Sequence, residues 1–177
     1  LLGLSLQEQG ESDAALVEIE KAIAVRPSVA MFQNSAGAVS VARGDLSKGI
    51  EYYRRALELD PESSSACNNL GIALQKLGYF DQALIAYSRA LEIEPGMISA
   101  IVNLGNVQSD LGREAEAIEQ YGRALALAPG IAEIHNNLGN AFKAQSKFAE
   151  AIESYDQALA IRPDYADAYF NRGATQA

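Results

Sequence analysis

Asparagine carries the polar chemistry that this chain repeats. Its nine asparagines are Asn34, Asn68, Asn69, Asn103, Asn106, Asn136, Asn137, Asn140 and Asn171, and four of them, Asn69, Asn103, Asn137 and Asn171, stand 34 residues apart. A side-chain amide offers two N–H donors and a carbonyl acceptor. Amides repeated in register could grip the main chain of an extended peptide, whose N–H and C=O groups also recur, without reading its sequence. They could equally bond atoms of neighbouring helices, and the sequence leaves both readings open. Charged side chains share these stretches: Asp110, Glu133 and Asp167 toward the C-terminus, offset by Lys76 and Lys143. Nearer the N-terminus the matching residues are apolar, with Met31, Ala38, Val41 and Ala42.

The elements that must position these groups follow from the prolines. All five, Pro27, Pro61, Pro95, Pro129 and Pro163, are 34 residues apart. A fixed period of this size marks stacked structural repeats, each burying its apolar face against its neighbours. Proline cannot continue a helix and closes each unit. Ser28 and Asp164, directly after it, read as N-caps of the next helix. One glycine column, Gly10, Gly44, Gly78 and Gly112 with Ser146 in the fifth slot, supplies the positive φ of a tight turn between two helices. Another, Gly3, Gly37, Gly71, Gly105, Gly139 and Gly173, lies mid-helix. There each glycine costs about 1 kcal/mol relative to alanine, and the repetition of that cost implies close helix–helix approach. Alanine columns at Ala83, Ala117 and Ala151 (Gly49 in the earlier unit) and at Ala56, Ala90, Ala124 and Ala158 read the same way. Tyr53, Tyr87, Tyr121 and Tyr155 lie between them and fill the adjacent hollow. Each unit is thus predicted to be a helical hairpin, with Glu51–Arg55 and Glu119–Arg123 as i, i+4 pairs on the outer helices.

Composition agrees with a stack of about five such units. Of 177 residues 49% are hydrophobic, enough for a sizeable core, and 21% are charged, with a net charge of −9. No basic run could track a phosphate backbone, so nucleic acid is not an expected partner. No apolar stretch approaches the ~18 residues of a membrane span. One cysteine excludes an internal disulfide and favours a reducing, cytoplasmic setting. His135 and Cys67, the only residues of their types, occupy one column two periods apart. Packed helices stand about 8–10 Å from axis to axis, so the two cannot form a nucleophile–base pair or a shared metal site. Both read as packing residues. The glycines follow the period and do not cluster into a phosphate loop. Neither catalysis nor a cofactor is expected.

The period and its columns resemble the tetratricopeptide repeat, whose pattern includes W-x2-L-G, A-x3-F and a closing P. The chain shows Leu70-Gly71, Leu104-Gly105 and Leu138-Gly139, then Ala83-x3-Tyr87, Ala117-x3-Tyr121 and Ala151-x3-Tyr155. It departs from the pattern in having no tryptophan; that column holds Gln33, Cys67, Ile101, His135 and Tyr169. Ala36 and Arg172 stand where leucine is usual. The resemblance implies an all-α fold, a right-handed superhelical solenoid of antiparallel helix pairs. In that frame residues 1–177 form a single array: a partial repeat at 1–29, full repeats at 30–63, 64–97, 98–131 and 132–165, and a partial repeat at 166–177. An array that starts and stops inside repeats reads as a piece of a longer protein.

The resemblance also implies that the first helices line a concave groove for a protein or peptide ligand. The groove candidates are the nine asparagines with Asp110, Glu133, Lys76 and Lys143. Their amides are similar to the asparagine ladder of O-linked N-acetylglucosamine transferases. The family's co-chaperone type clamps a terminal carboxylate with Lys and Arg, but those positions here hold Asn34, Ser65, Asn68, Ser99, Val102, Glu133 and Asn136. The expected function is a protein-interaction module that binds an extended or helical peptide. The alternatives are the substrate-recognition arm of a larger glycosyltransferase-like enzyme and a scaffold that self-associates end to end.

Overall fold

The computed structural model describes the backbone of residues 2–176 and the side chains of residues 12–176. Every regular element among them is a helix: α1 (Leu2–Val25), α2 (Ala30–Ala42), α3 (Leu46–Leu59), α4 (Ser64–Lys76), α5 (Phe80–Ile93), α6 (Ile98–Asp110), α7 (Glu114–Leu127), α8 (Ala132–Ala144), α9 (Phe148–Ile161) and α10 (Ala166–Gln176). They form two compact units, residues 1–95 and residues 96–177. In the first, α2 pairs with α3 and α4 with α5; in the second, α6 pairs with α7 and α8 with α9.

The turns inside the pairs show why the second glycine column exists. Gly44, Gly78 and Gly112 have φ of 85°, 79° and 72°, and Ser146 takes 60°. In each, the amide after the turn residue reaches back to the helix it left. Asp45 N–H donates to the Ser40 carbonyl at 2.9 Å and Lys147 N–H to that of Phe142 at 2.9 Å. This six-to-one bond needs a left-handed residue at the turn. Gly10 does not form the corresponding turn, because α1 runs unbroken through it. A glycine permits a turn without enforcing one, and its helix penalty of about 1 kcal/mol is small beside the intrahelical bonds a break would forfeit.

At the other junction the helices start one residue later than expected. Ser28 and Asp164 are not caps; they lie in a turn after the proline, and the N-caps are Val29, Ser63, Met97 and Ile131 in the first four cases. The proline and its successor form a turn closed by bonds such as Ser63 N–H to the Asp60 carbonyl, which moves the helix start along. Among these four caps, only Ser63 uses its side chain, accepting from Ala66 N–H at 3.3 Å.

Packing follows the columns. A Cβ placed on Gly37, Gly71, Gly105 or Gly139 would lie 2.5–2.8 Å from Cε1 of Tyr53, Tyr87, Tyr121 or Tyr155. The rings therefore occupy the space a side chain would need. Ala56, Ala83, Ala90, Ala117, Ala124, Ala151 and Ala158 are fully buried. The expected Glu51–Arg55 and Glu119–Arg123 pairs do not form among the described residues. Arg123 donates to Gln120 Oε1 at 2.6 Å, and the ion pairs that link elements include Arg43–Asp13 at 2.5 Å, Lys48–Glu20 at 2.9 Å and Arg89–Glu62 at 2.5 Å. Long cationic side chains here reach a carboxylate on the adjacent element instead of one on their own helix.

Within each unit the first helices of successive pairs touch: α2 meets α4, and α8 meets both α6 and α10. The second helices, α3 and α5 or α7 and α9, do not touch. First helices therefore line the tighter, inner side of each unit's curve, and second helices splay on the outer side.

Candidate functional site

All thirteen groove candidates sit on first helices: Asn34 on α2; Asn68, Asn69 and Lys76 on α4; Asn103, Asn106 and Asp110 on α6; Glu133, Asn136, Asn137, Asn140 and Lys143 on α8; and Asn171 on α10. Their environments differ. Asn68 and Asn136 are buried, Asn140 is exposed, and the other asparagines are half-buried. Lys76 and Lys143 fall in the last turns of α4 and α8, where the negative end of the helix dipole favours a cation.

The asparagines make an ordered set of hydrogen bonds. Asn69 Nδ2 donates to Asn34 Oδ1 at 3.1 Å, which ties α4 to α2. Asn171 Nδ2 donates to Asn136 Oδ1 at 3.0 Å and ties α10 to α8. In both, the amide of the strict 34-residue column reaches the asparagine one place earlier in the preceding repeat. That place holds Val102 in the repeat before Asn137. Valine cannot accept, and Asn137 Nδ2 turns to Asn106 Oδ1 at 3.1 Å. A third asparagine position serves the packing tyrosines: Tyr121 donates to Asn106 Oδ1 at 2.8 Å and Tyr155 to Asn140 Oδ1 at 2.8 Å. In unit 1 that position holds Ala38 and Ile72, and Tyr87 donates to Gln75 Oε1 at 3.0 Å instead.

Much of this amide chemistry thus braces neighbouring helices, one of the two roles the sequence left open. Each column amide commits one N–H to this bracing and keeps its carbonyl and a second N–H. Sequence reasoning missed the tyrosine hydroxyls and Gln75 as partners. The signal was there in Tyr121–Asn106 and Tyr155–Asn140, both 15 residues apart, but that spacing has meaning only once the hairpin is folded.

The charged candidates are less available than their sequence suggested. Glu133, in the first turn of α8, pairs with Arg162 after α9. Its own backbone N–H, and then the Arg162 guanidinium, hold its carboxyl below the usual range. Arg162 also lies 4.3 Å from the centre of the Tyr165 ring. Two large apolar side chains remain open on first helices, Met31 on α2 at 66% exposure and Phe170 on α10 at 75%. His135 Nε2 lies 3.0 Å from the Pro129 carbonyl oxygen. Burial raises the Cys67 thiol, which disfavours the reactive thiolate. Among the described residues, no group of three His, Cys, Asp or Glu side chains could hold a metal ion. No helix there is long and apolar enough to cross a membrane.

Antiparallel helix pairs closed by tyrosine-on-glycine contacts, with inner helices braced by amides, define a helical-hairpin repeat protein. The family profiles described as TPR repeat and tetratricopeptide repeat match residues 105–146 and 139–177, and residues 1–64 and 64–97, respectively. The chain belongs to the tetratricopeptide repeat family. Solved structures agree. A crystal structure of MamA superposes with a TM-score of 0.82 at 23% identity, covering 94% of this chain and 97% of that one. MamA 41-end from Desulfovibrio magneticus RS-1 gives 0.78 at 20%, covering 83% of each. YrrB, described as a TPR protein with an unusual peptide-binding site, gives 0.80 at 26%, covering 95% of this chain and 87% of that one. No curated protein matches the sequence.

Proposed function

We propose that the chain is a protein-interaction module that holds a peptide segment of a partner against its first helices. The observation that carries this reading is the pre-oriented amide column. Asn69, Asn137 and Asn171 are each fixed by one hydrogen bond to a neighbouring asparagine, yet each retains a carbonyl and an N–H for a ligand. Amides already held in place lose less side-chain freedom on binding. Their spacing suits a repeating main chain rather than one particular sequence. Met31 and Phe170 add exposed apolar contacts on the same helices. The peptide-binding site described for YrrB supports the analogy.

The test replaces Asn103, Asn137 and Asn171 together by alanine and titrates wild type and variant with several partner-derived peptides of unrelated sequence. Each lost hydrogen bond is expected to cost about 0.5–1.5 kcal/mol, so affinity should fall for every peptide. Circular dichroism must show a folded variant, since Asn136 is buried and loses its partner when Asn171 is replaced. Unchanged binding by a folded variant would leave the amides with bracing alone.

A further inference from the structure

We propose that the hollow bounded by α3, α4 and α5 is a second interaction site, which receives an apolar side chain flanked by carboxylates from a peptide segment of a partner protein. It lies outside the asparagine face and goes beyond the function proposed above. The hollow exists because α3 and α5 both pack on α4 without touching each other. Its volume is about 290 Å³. Cys67 and Leu74 are buried in it and Leu70 is half-buried, while Arg54, Ile85 and Arg89 also line it.

Three observations define the occupant. The first is Ile85, 71% exposed. A lone exposed apolar residue is ordinary, but Ile85 is continuous with the leucine lining and extends it to the surface, as binding patches do. The second is size. Small-molecule pockets run to roughly 300–1,000 Å³ and enclose most of their ligand; this hollow is smaller and open to solvent, which suits one or two anchoring side chains. The third is charge. The lining includes two arginines and no carboxylate. Arg89 is held by Glu62 and Glu92, whereas Arg54 makes no ion pair among the described residues. An acidic flank on the incoming segment would complement it.

The fold does not require these residues. Two periods further on, Leu125 and Leu138 stand at the places of Leu57 and Leu70, so the leucine positions belong to the repeat. Gly122 stands in place of Arg54 and Glu153 in place of Ile85. The repeat tolerates loss of both the cation and the exposed isoleucine, so their presence beside this hollow points to recognition.

The test uses three fluorescein-labelled synthetic peptides and the full chain, read by fluorescence anisotropy. One carries a Leu-Phe pair between glutamates, the second the same pair between lysines, and the third the glutamates with alanine in place of the pair. The acidic, apolar peptide should bind saturably and at least about tenfold more tightly than the other two, and more weakly as salt is raised. Arg54→Glu and Ile85→Asp, both at exposed positions, should each reduce that binding about tenfold or more, with thermal melts close to wild type. Arg54→Ala serves as a milder second variant and should weaken binding in the same direction. Methyl NMR signals of Ile85 and Leu70 should shift on titration. Combined replacement of Asn137 and Asn171 by alanine should leave this binding unchanged. Equal binding of all three peptides, no saturable binding, or indifference to Arg54→Glu would each overturn the proposal. Self-association that Arg54→Glu abolishes, without peptide binding, would assign the hollow to a second copy and likewise overturn it.

Discussion

Tyr155 lies directly on Gly139: a Cβ there would approach its Cε1 to 2.5 Å, and the same tyrosine donates its hydroxyl to Asn140 Oδ1 at 2.8 Å. One side chain therefore closes the α8–α9 pair and orients a candidate groove amide. Packing and recognition are coupled through it, so glycine substitutions should act on both.

Gly139→Ala should destabilise. Overpacking costs typically about 1–3 kcal/mol, set against about 1 kcal/mol gained in helix propensity. Gly173→Ala, in the same column, should stabilise by up to about 1 kcal/mol, because a Cβ there would meet nothing within 4 Å. Urea unfolding of the two variants should give midpoint shifts of opposite sign; shifts of the same sign would refute the packing assignment.

Gly49 and Val41 should be energetically coupled. A Cβ on Gly49 would lie 2.5 Å from Val41 Cγ2. The repeats with alanine in the Gly49 column carry unbranched Gln75, Ser109 and Lys143 in place of Val41. Gly49→Ala alone is expected to overpack by about 1 kcal/mol or more, and the same change in a Val41→Ala background should cost less. A double-mutant cycle measures the difference, expected at about 0.5–3 kcal/mol for residues in contact. Strict additivity would argue against the contact.

Ser146→Gly should stabilise. Ser146 holds φ at 60°, in a turn where the three counterparts are glycine. A non-glycine residue in that region costs roughly 1–2 kcal/mol, part of which returns as the greater unfolded-state freedom of glycine. The net gain should be about 0.5–1 kcal/mol, read as a higher melting temperature. A lower one would mean that the serine side chain contributes something the turn geometry does not explain.

Stability should fall on the alkaline side through the packing tyrosines. Burial raises Tyr53 from 10.0 to about 12 and raises Tyr121 and Tyr155 in the same direction. A folded-state value above the unfolded one means that Tyr53's contribution is intact below pH 10 and is lost as the pH rises toward 12. Tyr53→Phe should flatten part of this decline while leaving neutral-pH stability nearly unchanged, since the Tyr53 hydroxyl has no side-chain partner among the described residues. Melting temperatures measured across that window would decide it; an unchanged alkaline slope would exclude Tyr53 as a contributor.

The sequence by itself determined the helix pairs, the turns at Gly44, Gly78, Gly112 and Ser146, and the placement of tyrosine against glycine. These depend on backbone constraints and side-chain volume, which act locally and recur with the period. The helix starts were misread by one residue at Ser28 and Asp164, because the turn after each proline depends on hydrogen bonds that close only when the next helix docks. Partners across helices were decided by tertiary structure alone. Asn137 bonds Asn106 where Asn69 and Asn171 bond the asparagine one place earlier in the preceding repeat, and Arg162 rather than a residue of its own helix pairs with Glu133. The hollow beside Ile85 is likewise absent from any local pattern. Its leucines repeat along the chain, but the space between α3 and α5 opens only when successive pairs splay on their outer side, and that angle is set by packing summed over many contacts.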